Sequence, residues 1–438
     1  MKLQLLSLAA AMVSSSVLAD SDIYLTNNSD QILNISVEHT GSDLMEYGDE
    51  WSQHVTQLQP YESKMVLSFN RYYGAKSGHT YQFKTKVTTQ SGEVVNLQQN
   101  MKGTWYGSTI THSAHGQGFS SAKFSDRNIH RYQSNMDISS HPVEVAFKAK
   151  STARYDDFYY TITPNQLDEA SEPAPEQLKV MTYNIWALPV IASHISDRMA
   201  LLPEYLKGYD ALLLQEVFHA QREDFLQQIS AEYPYQTRML DKPGVNIYDG
   251  GVTIVSRYPI VNQAQYVFPD CSSTDCFADK GVNYAEIIKN GEAYHLFATH
   301  TASSDTDTAR QHRQLQFKQI RNLAISLNIP QNETVVYGGD FNVNKLKFPG
   351  DYANMLTNLA ASAPQYTGYT SSTFDPRVNA FAKKAGETVE YLDYIVVSDE
   401  YKAVSNNTNE VKVPRSTHQS IWEHWDLSDH FPVKAVIK

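Results

Sequence analysis

From about residue 179 to the end of the chain, short apolar runs alternate with helical segments, and nearly every run starts or stops at an acid, an amide or a histidine. Asn184 follows Met181-Thr182-Tyr183, and Glu216 follows Leu212 to Leu214. Asp249 precedes Gly250-Gly251 and the run from Val252. His300 follows Phe297-Ala298-Thr299. Asp340 and Asn342 follow Val335-Val336-Tyr337. Asp393 precedes Tyr394 to Val397, and Asp429-His430 precede the closing run Val433 to Ile437. Alone, any one of these is an ordinary capping or packing residue. As a series at strand ends, they can converge on one rim if the strands share a sheet system. Asp, Asn, Glu and His gathered there suit metal-assisted attack of water on phosphorus, since the phosphate charge needs neutralising and the water needs a base.

Between the runs, Ser196 is placed to cap a helix carrying Met199, Leu202, Tyr205 and Leu206 on one face. Residues 307–327 carry Leu315, Ile320, Leu323, Ala324 and Leu327 at helical spacing. Residues 20–163 read differently. They are rich in Tyr, Thr, Ser and Val, with short runs at Ile32 to Val37 and Tyr81 to Val87. Turn chemistry sits at Arg71 to Gly78 and Ser91-Gly92, so this part reads as an all-β sandwich. Trp51, Trp105, Tyr106 and Phe158-Tyr159-Tyr160 are assigned to its core, where aromatic residues usually go. Residues 164–178, with Pro164, Pro173 and Pro175, read as a linker. No internal repeat is evident.

Residues 1–19 have the form of a secretory signal: Lys2, an apolar stretch from Leu3 to Val13, and a small-residue cleavage site at Val17-Leu18-Ala19. An exported, soluble mature protein is expected, since no later segment reaches about 20 apolar residues. The formal net charge of −12 and the lack of a Lys/Arg cluster disfavour a general nucleic-acid binder. The 2 cysteines, Cys271 and Cys276, read as one small disulfide loop in an exported protein; two free thiols or half a metal site are the alternatives.

Six motifs carry a resemblance. Tyr183-Asn184, Gln215-Glu216-Val217, Thr299-His300, Gly339-Asp340-Phe341-Asn342, Leu392-Asp393-Tyr394-Ile395 and Ser428-Asp429-His430 resemble the endonuclease/exonuclease/phosphatase superfamily, in its order. Asp249 to Arg257, Lys280-Gly281-Val282, and His300 with Thr301 and Asp305 look most like its secreted bacterial sphingomyelinases C. The resemblance implies an α+β fold, a four-layer α/β/β/α sandwich of DNase-like type over residues 179–438, behind the small all-β domain. It implies a Mg²⁺-dependent phosphodiesterase acting on sphingomyelin and releasing ceramide and phosphocholine, with haemolysis as a consequence. The alternative on the same scaffold is a secreted deoxyribonuclease.

Roles follow from the resemblance residue by residue. Glu216 is the leading metal ligand, a carboxylate suiting a hard ion. Asn184 holds the metal or a phosphate oxygen nearby. His430 is the general base or shares its water with a second metal, and Asp393 or Asp340 fixes its tautomer. Asp340 and Asn342 position water and phosphate. His300 donates to a phosphate oxygen or the leaving alkoxide, Asp249 orients His300, and Asp429 supports the site from behind. Ile421, Trp422 and Trp425 occupy the segment where the resembling enzymes carry an exposed aromatic hairpin, so an exposed pair contacting the membrane is expected there, with two core tryptophans as the alternative.

Overall fold

The in–out alternation of Tyr81-Gln82-Phe83-Lys84-Thr85-Lys86-Val87 forms the strand Thr80–Thr88, which buries Tyr81, Phe83, Thr85 and Val87 and turns the residues between them outward. That period of two is what a sheet with one face on a core requires. The computed structural model describes residues 20–438 except 43, 46–47, 49, 153–154, 166–173, 243, 245–246, 272, 369–371 and 386–387. The expected signal segment, residues 1–19, lies outside the described residues. The chain divides into two compact units, Met1–Asn165 and Gln166–Lys438. Among the described residues, no helix is long and apolar enough to cross a membrane.

The first unit is two six-stranded sheets. Ile23, Leu25, Leu67, Phe69, Val145 and Phe147 from one sheet share a core with Leu33, Ile35, Phe83, Val95 and Leu97 from the other. Each such side chain contributes about 1.5–3 kcal/mol when taken out of water. Phe158 and Tyr160 join that core, and Trp51 packs half-buried against it. The core assignment fails for Trp105 and Tyr106, which are 87% and 65% exposed. They form the tip of the hairpin between Val94–Thr104 and Gly107–Gly116, beyond the reach of the sheet faces. The strand Asp156–Pro164 carries Pro164 into the sheet opposite Val143. The linker therefore starts later than residue 164. It also ends earlier than 178, because Leu178 pairs with Ile437.

The second unit places a seven-stranded sheet against a six-stranded one. Leu178, Val180, Ala211, Leu213 and Ile254 of the first meet Ala285, Leu296, Ala298, Val336 and Ile395 of the second. The alternate residues Met181, Tyr183, Leu212 and Leu214 face outward. They receive Met199 and Leu202 of the helix Ile195–Tyr205 and Phe225 and Ile229 of the helix Arg222–Ile229. On the other side, Phe317 of the helix Asp307–Ser326 lies 5.4 Å from Phe341, and Tyr352 of the helix Pro349–Leu359 lies 5.5 Å from Tyr394. The order is helices, sheet, sheet, helices, the arrangement expected for two sheets that each bury both faces.

Two local readings need correcting. The first helix begins at Ile195 behind His194 in a left-handed conformation, so Ser196 lies inside the first turn and caps nothing. Leu315 shares the long helix with Ile320 and Ala324 but is 46% exposed; Gln316 and Arg313 take the inward places instead, bonding to the backbone of the loop after His300.

Candidate active site

Strand register assembles the site. His300 stands opposite Asp340, and Asp340 opposite Asp393, across three adjacent strands. The strands Leu178–Asn184 and Ala211–Gln215 run parallel, so Asn184 and Glu216 leave the other sheet at a common edge. Gly338-Gly339 permits the close approach: a Cβ on Gly339 would sit 1.9 Å from the Thr299 carbonyl, and one on Gly338 2.5 Å from Leu213 across the sheet interface. Glu216 and Asn342 both adopt positive φ, 55° and 50°. Asn tolerates that region, whereas Glu is strained there, a cost of order 1–3 kcal/mol that the surrounding packing offsets.

Asn184 is the bridge between the two sheets. Its Nδ2 donates to Glu216 Oε1 at 3.0 Å and to Asp340 Oδ2 at 3.1 Å, while its Oδ1 accepts from the Trp186 N–H at 3.0 Å. Asp340 Oδ1 accepts from the Asn342 N–H at 3.0 Å, and Asn342 Nδ2 donates to the Thr301 carbonyl at 3.2 Å. His430 Nδ1 lies 2.9 Å from Asp393 Oδ2, and its Nε2 lies 3.8 Å from Asp340 Oδ2. These residues reach one cleft of about 750 Å³, which Glu216, His300, Asp340, Asn342 and His430 line together. Asp429 is buried behind them, accepting from its own Ser428 hydroxyl at 3.3 Å, while that hydroxyl also donates to the Asn184 carbonyl at 2.6 Å.

Burial of so many acids in one place has electrostatic consequences. Burial, and then the Asp429 charge, push the Glu216 carboxyl up to about 7, and burial lifts Asp393 to about 6. Asp340 also pays for burial, yet the His430, His300 and Lys280 charges hold it below its ordinary value. Burial pulls His430 down, but Asp393 and Asp340 outweigh it and raise the imidazole well above its usual range. His300 is depressed to about 3, first by burial and then by Lys280, and so stays neutral.

The donor set fits a hard cation. Glu216 Oε2 and Asp393 Oδ1 are buried oxygens with no protein partner, and Asp340, Asp393 and His430 bring ligand atoms within 4.8 Å of one another. Glu216, Asp340, Asp393 and Asp429 are four buried carboxylates, and clustered carboxylate oxygen is the chemistry of a magnesium-type site. Asp340 and Asp393 thus stand beside the sequence-based candidates Glu216, Asn184 and His430 as groups that could hold a metal ion.

Two expectations are overturned. Asp249 does not reach His300: it pairs with Arg222 and accepts from the Gly251 N–H at 2.9 Å, so it organises the turn after Glu216 instead. Ile421, Trp422 and Trp425 are not exposed, at 0%, 7% and 4%. The segment forms one short turn, Gln419–Ile421, rather than a hairpin. Ile421 joins the core beneath the helix Ile195–Tyr205, and the two Trp rings pack edge to face 4.8 Å apart.

Two residues gained no role from sequence. Lys280 Nζ lies 3.1 Å from His300 Nε2, donates to the Thr301 carbonyl at 2.8 Å and pairs with Asp275 at 2.9 Å. With Nε2 accepting from Lys280, the His300 proton belongs on Nδ1. Arg198 is fully buried and donates to the carbonyls of Ile185, Trp186 and Leu427 at 2.8, 2.7 and 2.8 Å, tying the Asn184 turn to the Asp429 turn. The position of Lys280 straight after the cysteine pair was the available signal; Arg198 had none, since a surface-helix arginine looks the same. Cys271 and Cys276 form a disulfide.

Comparison with known proteins agrees with the geometry. Residues 181–430 match the endonuclease/exonuclease/phosphatase family. Sphingomyelinase C of Bacillus cereus is 35% identical over 295 residues, which is 59% of this chain and 88% of that protein. Phospholipase C of Staphylococcus aureus is 31% identical over 307 residues, 63% of this chain and 92% of that one. The solved structure of a doubly substituted Staphylococcus aureus beta toxin with bound magnesium ions is similar with a TM-score of 0.55 at 33% identity, covering 60% of this chain and 100% of that chain. The chain belongs to the endonuclease/exonuclease/phosphatase family, on the branch of the bacterial sphingomyelinases C.

Proposed function

We propose that the protein is an exported, Mg²⁺-dependent phosphodiesterase that hydrolyses membrane sphingomyelin to ceramide and phosphocholine, and is haemolytic for that reason. The observation that carries the reading is the His430–Asp393 pair beside the buried acid group of Glu216, Asn184 and Asp340, in a chain whose relatives are named for sphingomyelin cleavage.

A divalent cation held by Glu216, with Asn184 and Asp340 near it, would neutralise charge on a phosphate oxygen and draw His430 back toward its neutral form. Asp393 accepts from Nδ1 and so leaves Nε2 of His430 to take a proton from the attacking water. Asp340, 3.8 Å from that Nε2, orients the same water. Asn342 offers an amide to the phosphate, and His300, its Nε2 held by Lys280, brings that lysine's charge to the cleft wall beside it. A P–O bond to water forms and the P–O bond to ceramide breaks; the ceramide alkoxide takes a proton from solvent water and leaves as the hydroxyl, and His430 returns the proton it accepted to solvent.

Membrane contact falls to the cleft mouth rather than to the tryptophans. Ile191 and Phe277 line the cleft and are 64% and 54% exposed; their neighbours Val190 and Ile247 are 100% and 68% exposed. The Tyr248 N–H donates to the Phe277 carbonyl at 3.1 Å, so two of these segments are fastened together. An apolar rim around a charged cleft suits a lipid headgroup better than a nucleic acid. Export rests on residues 1–19 and on the Cys271–Cys276 disulfide.

Phosphocholine release from sphingomyelin vesicles by the purified mature protein tests the reading. Mg²⁺-dependent release, lost in excess EDTA and absent on phosphatidylcholine, is expected. Nicked plasmid DNA without phosphocholine release would move the substrate to nucleic acid.

A further inference from the structure

We propose that one end of the first unit docks on the headgroup layer of a zwitterionic phospholipid bilayer, through Tyr72, Tyr73, Trp105 and Tyr106. This goes beyond the catalytic reading and does not depend on it. Among the described residues, the exposed large apolar side chains of this unit are Leu44, Tyr72, Tyr73, Trp105 and Tyr106. All lie in loops at the same end of the sandwich. Trp105-Tyr106 tip the hairpin after Thr104, Tyr72-Tyr73 follow the strand Ser63–Asn70, and Leu44 follows the strand Leu33–Gly41, whose Gly41 stands opposite Tyr81.

The opposite end has the composition of ordinary solvent-facing turns: Asn28-Ser29-Asp30, Gln90-Ser91-Gly92 and Ser139-Ser140. Hairpin tips favour such residues for their backbone geometry. A Trp-Tyr tip has no comparable backbone reason, and it leaves aromatic area in water at a cost that occupancy would remove.

The two aromatic loops are tied together. Arg71 donates to the Ser108 hydroxyl and carbonyl, both at 3.2 Å. The Gly103 N–H donates to His79 at 2.9 Å, and the Gly78 N–H to Gly103 at 3.0 Å. Asn70 Oδ1 accepts from the N–H groups of Tyr72 and Tyr73 at 2.9 and 2.6 Å. A surface fixed in this way loses little freedom on docking.

The chemistry selects the partner. Trp and Tyr pair an apolar ring with a polar tip, which is what the headgroup layer accommodates. Tyr72 with Tyr73, and Trp105 with Tyr106, pack edge to face at 5.3 and 5.1 Å. Such pairs present edges and tips rather than the single open face on which a sugar ring stacks. Exposed Lys76 and Lys102 flank the aromatics, while Asp20 and Asp156 bond to Asn70 and Arg127 at the same end. Charge of both signs fits a zwitterionic lipid surface better than an anionic one.

The test is co-sedimentation of the full-length mature protein with phosphatidylcholine vesicles in excess EDTA, which removes any contribution from turnover. Two variants are compared, Trp105→Ser with Tyr106→Ser, and Tyr72→Ser with Tyr73→Ser; Val261→Ser, an exposed apolar site in the second unit, is the control. Each aromatic pair should weaken binding by about tenfold or more, with melting temperature and hydrolysis of a water-soluble phosphocholine ester unchanged. Native-like vesicle binding by both folded double variants would overturn the proposal. So would an absence of vesicle binding by the native protein, with retention on an insoluble polysaccharide that the variants lose.

Discussion

His430 Nδ1 lies 2.9 Å from Asp393 Oδ2, and both side chains are buried. The carboxylate fixes which ring nitrogen carries the proton and turns the other toward the cleft. Asp393→Asn keeps the shape but removes the charge, and can stabilise the wrong tautomer. The expected result is a fall in kcat of about a hundredfold or more with little change in KM. The His430 pKa, followed by its ring-proton NMR signal, should fall as well, because Asp393 is the first of the charges that raise it. An unchanged titration would show that Asp393 does not govern the imidazole.

Glu216 carries the clearest metal prediction. Its Oε2 is buried without a partner and its carboxyl is pushed up to about 7. A folded pKa above the unfolded value means that ionised Glu216 destabilises the metal-free fold. That penalty is absent below about pH 4.5 and complete above about 7. In EDTA at pH 8, Glu216→Gln should therefore melt at least as high as the native protein. Mg²⁺ should stabilise the native protein by about 3 kcal/mol at a hundredfold excess over Kd, raising its melting temperature, and leave Glu216→Gln unmoved. Equal shifts in both proteins would remove Glu216 from the metal site.

Much of this site is legible in sequence because its residues sit at strand ends, where an apolar run announces the strand and the next polar residue announces the rim. Asn184, Glu216, His300, Asp340 and Asp393 are all found in that way. Residues whose role depends on long-range pairing are not. Asp249 looked like a rim residue, but its partner, Arg222, comes from a helix whose position sequence does not give. Lys280 reaches His300 from just before the strand Gly281–Lys289, and Arg198 reaches the Ile185, Trp186 and Leu427 carbonyls from a helix. Aromatic residues were the least legible, since a ring suits a core and an interface equally well. Trp422 and Trp425 went inside and Trp105 and Tyr106 outside, the reverse of both expectations.

A buried histidine far along the chain from the site supplies a pH prediction for the first unit. His112 is 1% exposed, its Nε2 has no partner, and its pKa is lowered to about 4 by burial and then by the His130 charge. The folded value lies below the unfolded 6.5, so the fold holds His112 neutral. Its stability is intact above about 6.5 and declines as pH falls through 4, by up to about 3 kcal/mol. Hydrogen exchange of the strand Gly107–Gly116 in the full chain should accelerate over that window. His112→Phe, set among Phe124, Phe147 and Phe158, should flatten the dependence. A native profile that is already flat would mean that His112 is protonated in the fold.

The buried tryptophans and the exposed rim make opposite predictions. Trp422→Ala empties a packed site against Trp425, so it should destabilise the second unit by about 3–5 kcal/mol. Any loss of vesicle binding should follow that unfolding and recover at lower temperature, where the fold returns. Ile191→Ser with Phe277→Ser removes side chains already in water, so the melting temperature should stay within about a degree or two of native. Binding to vesicles should fall, together with hydrolysis of sphingomyelin in bilayers, while hydrolysis of a water-soluble phosphocholine ester continues at its native rate. The reverse pattern, a stable Trp422→Ala protein that no longer binds vesicles, would require the tryptophan segment to open outward on the membrane and would return the contact to residues 421–425.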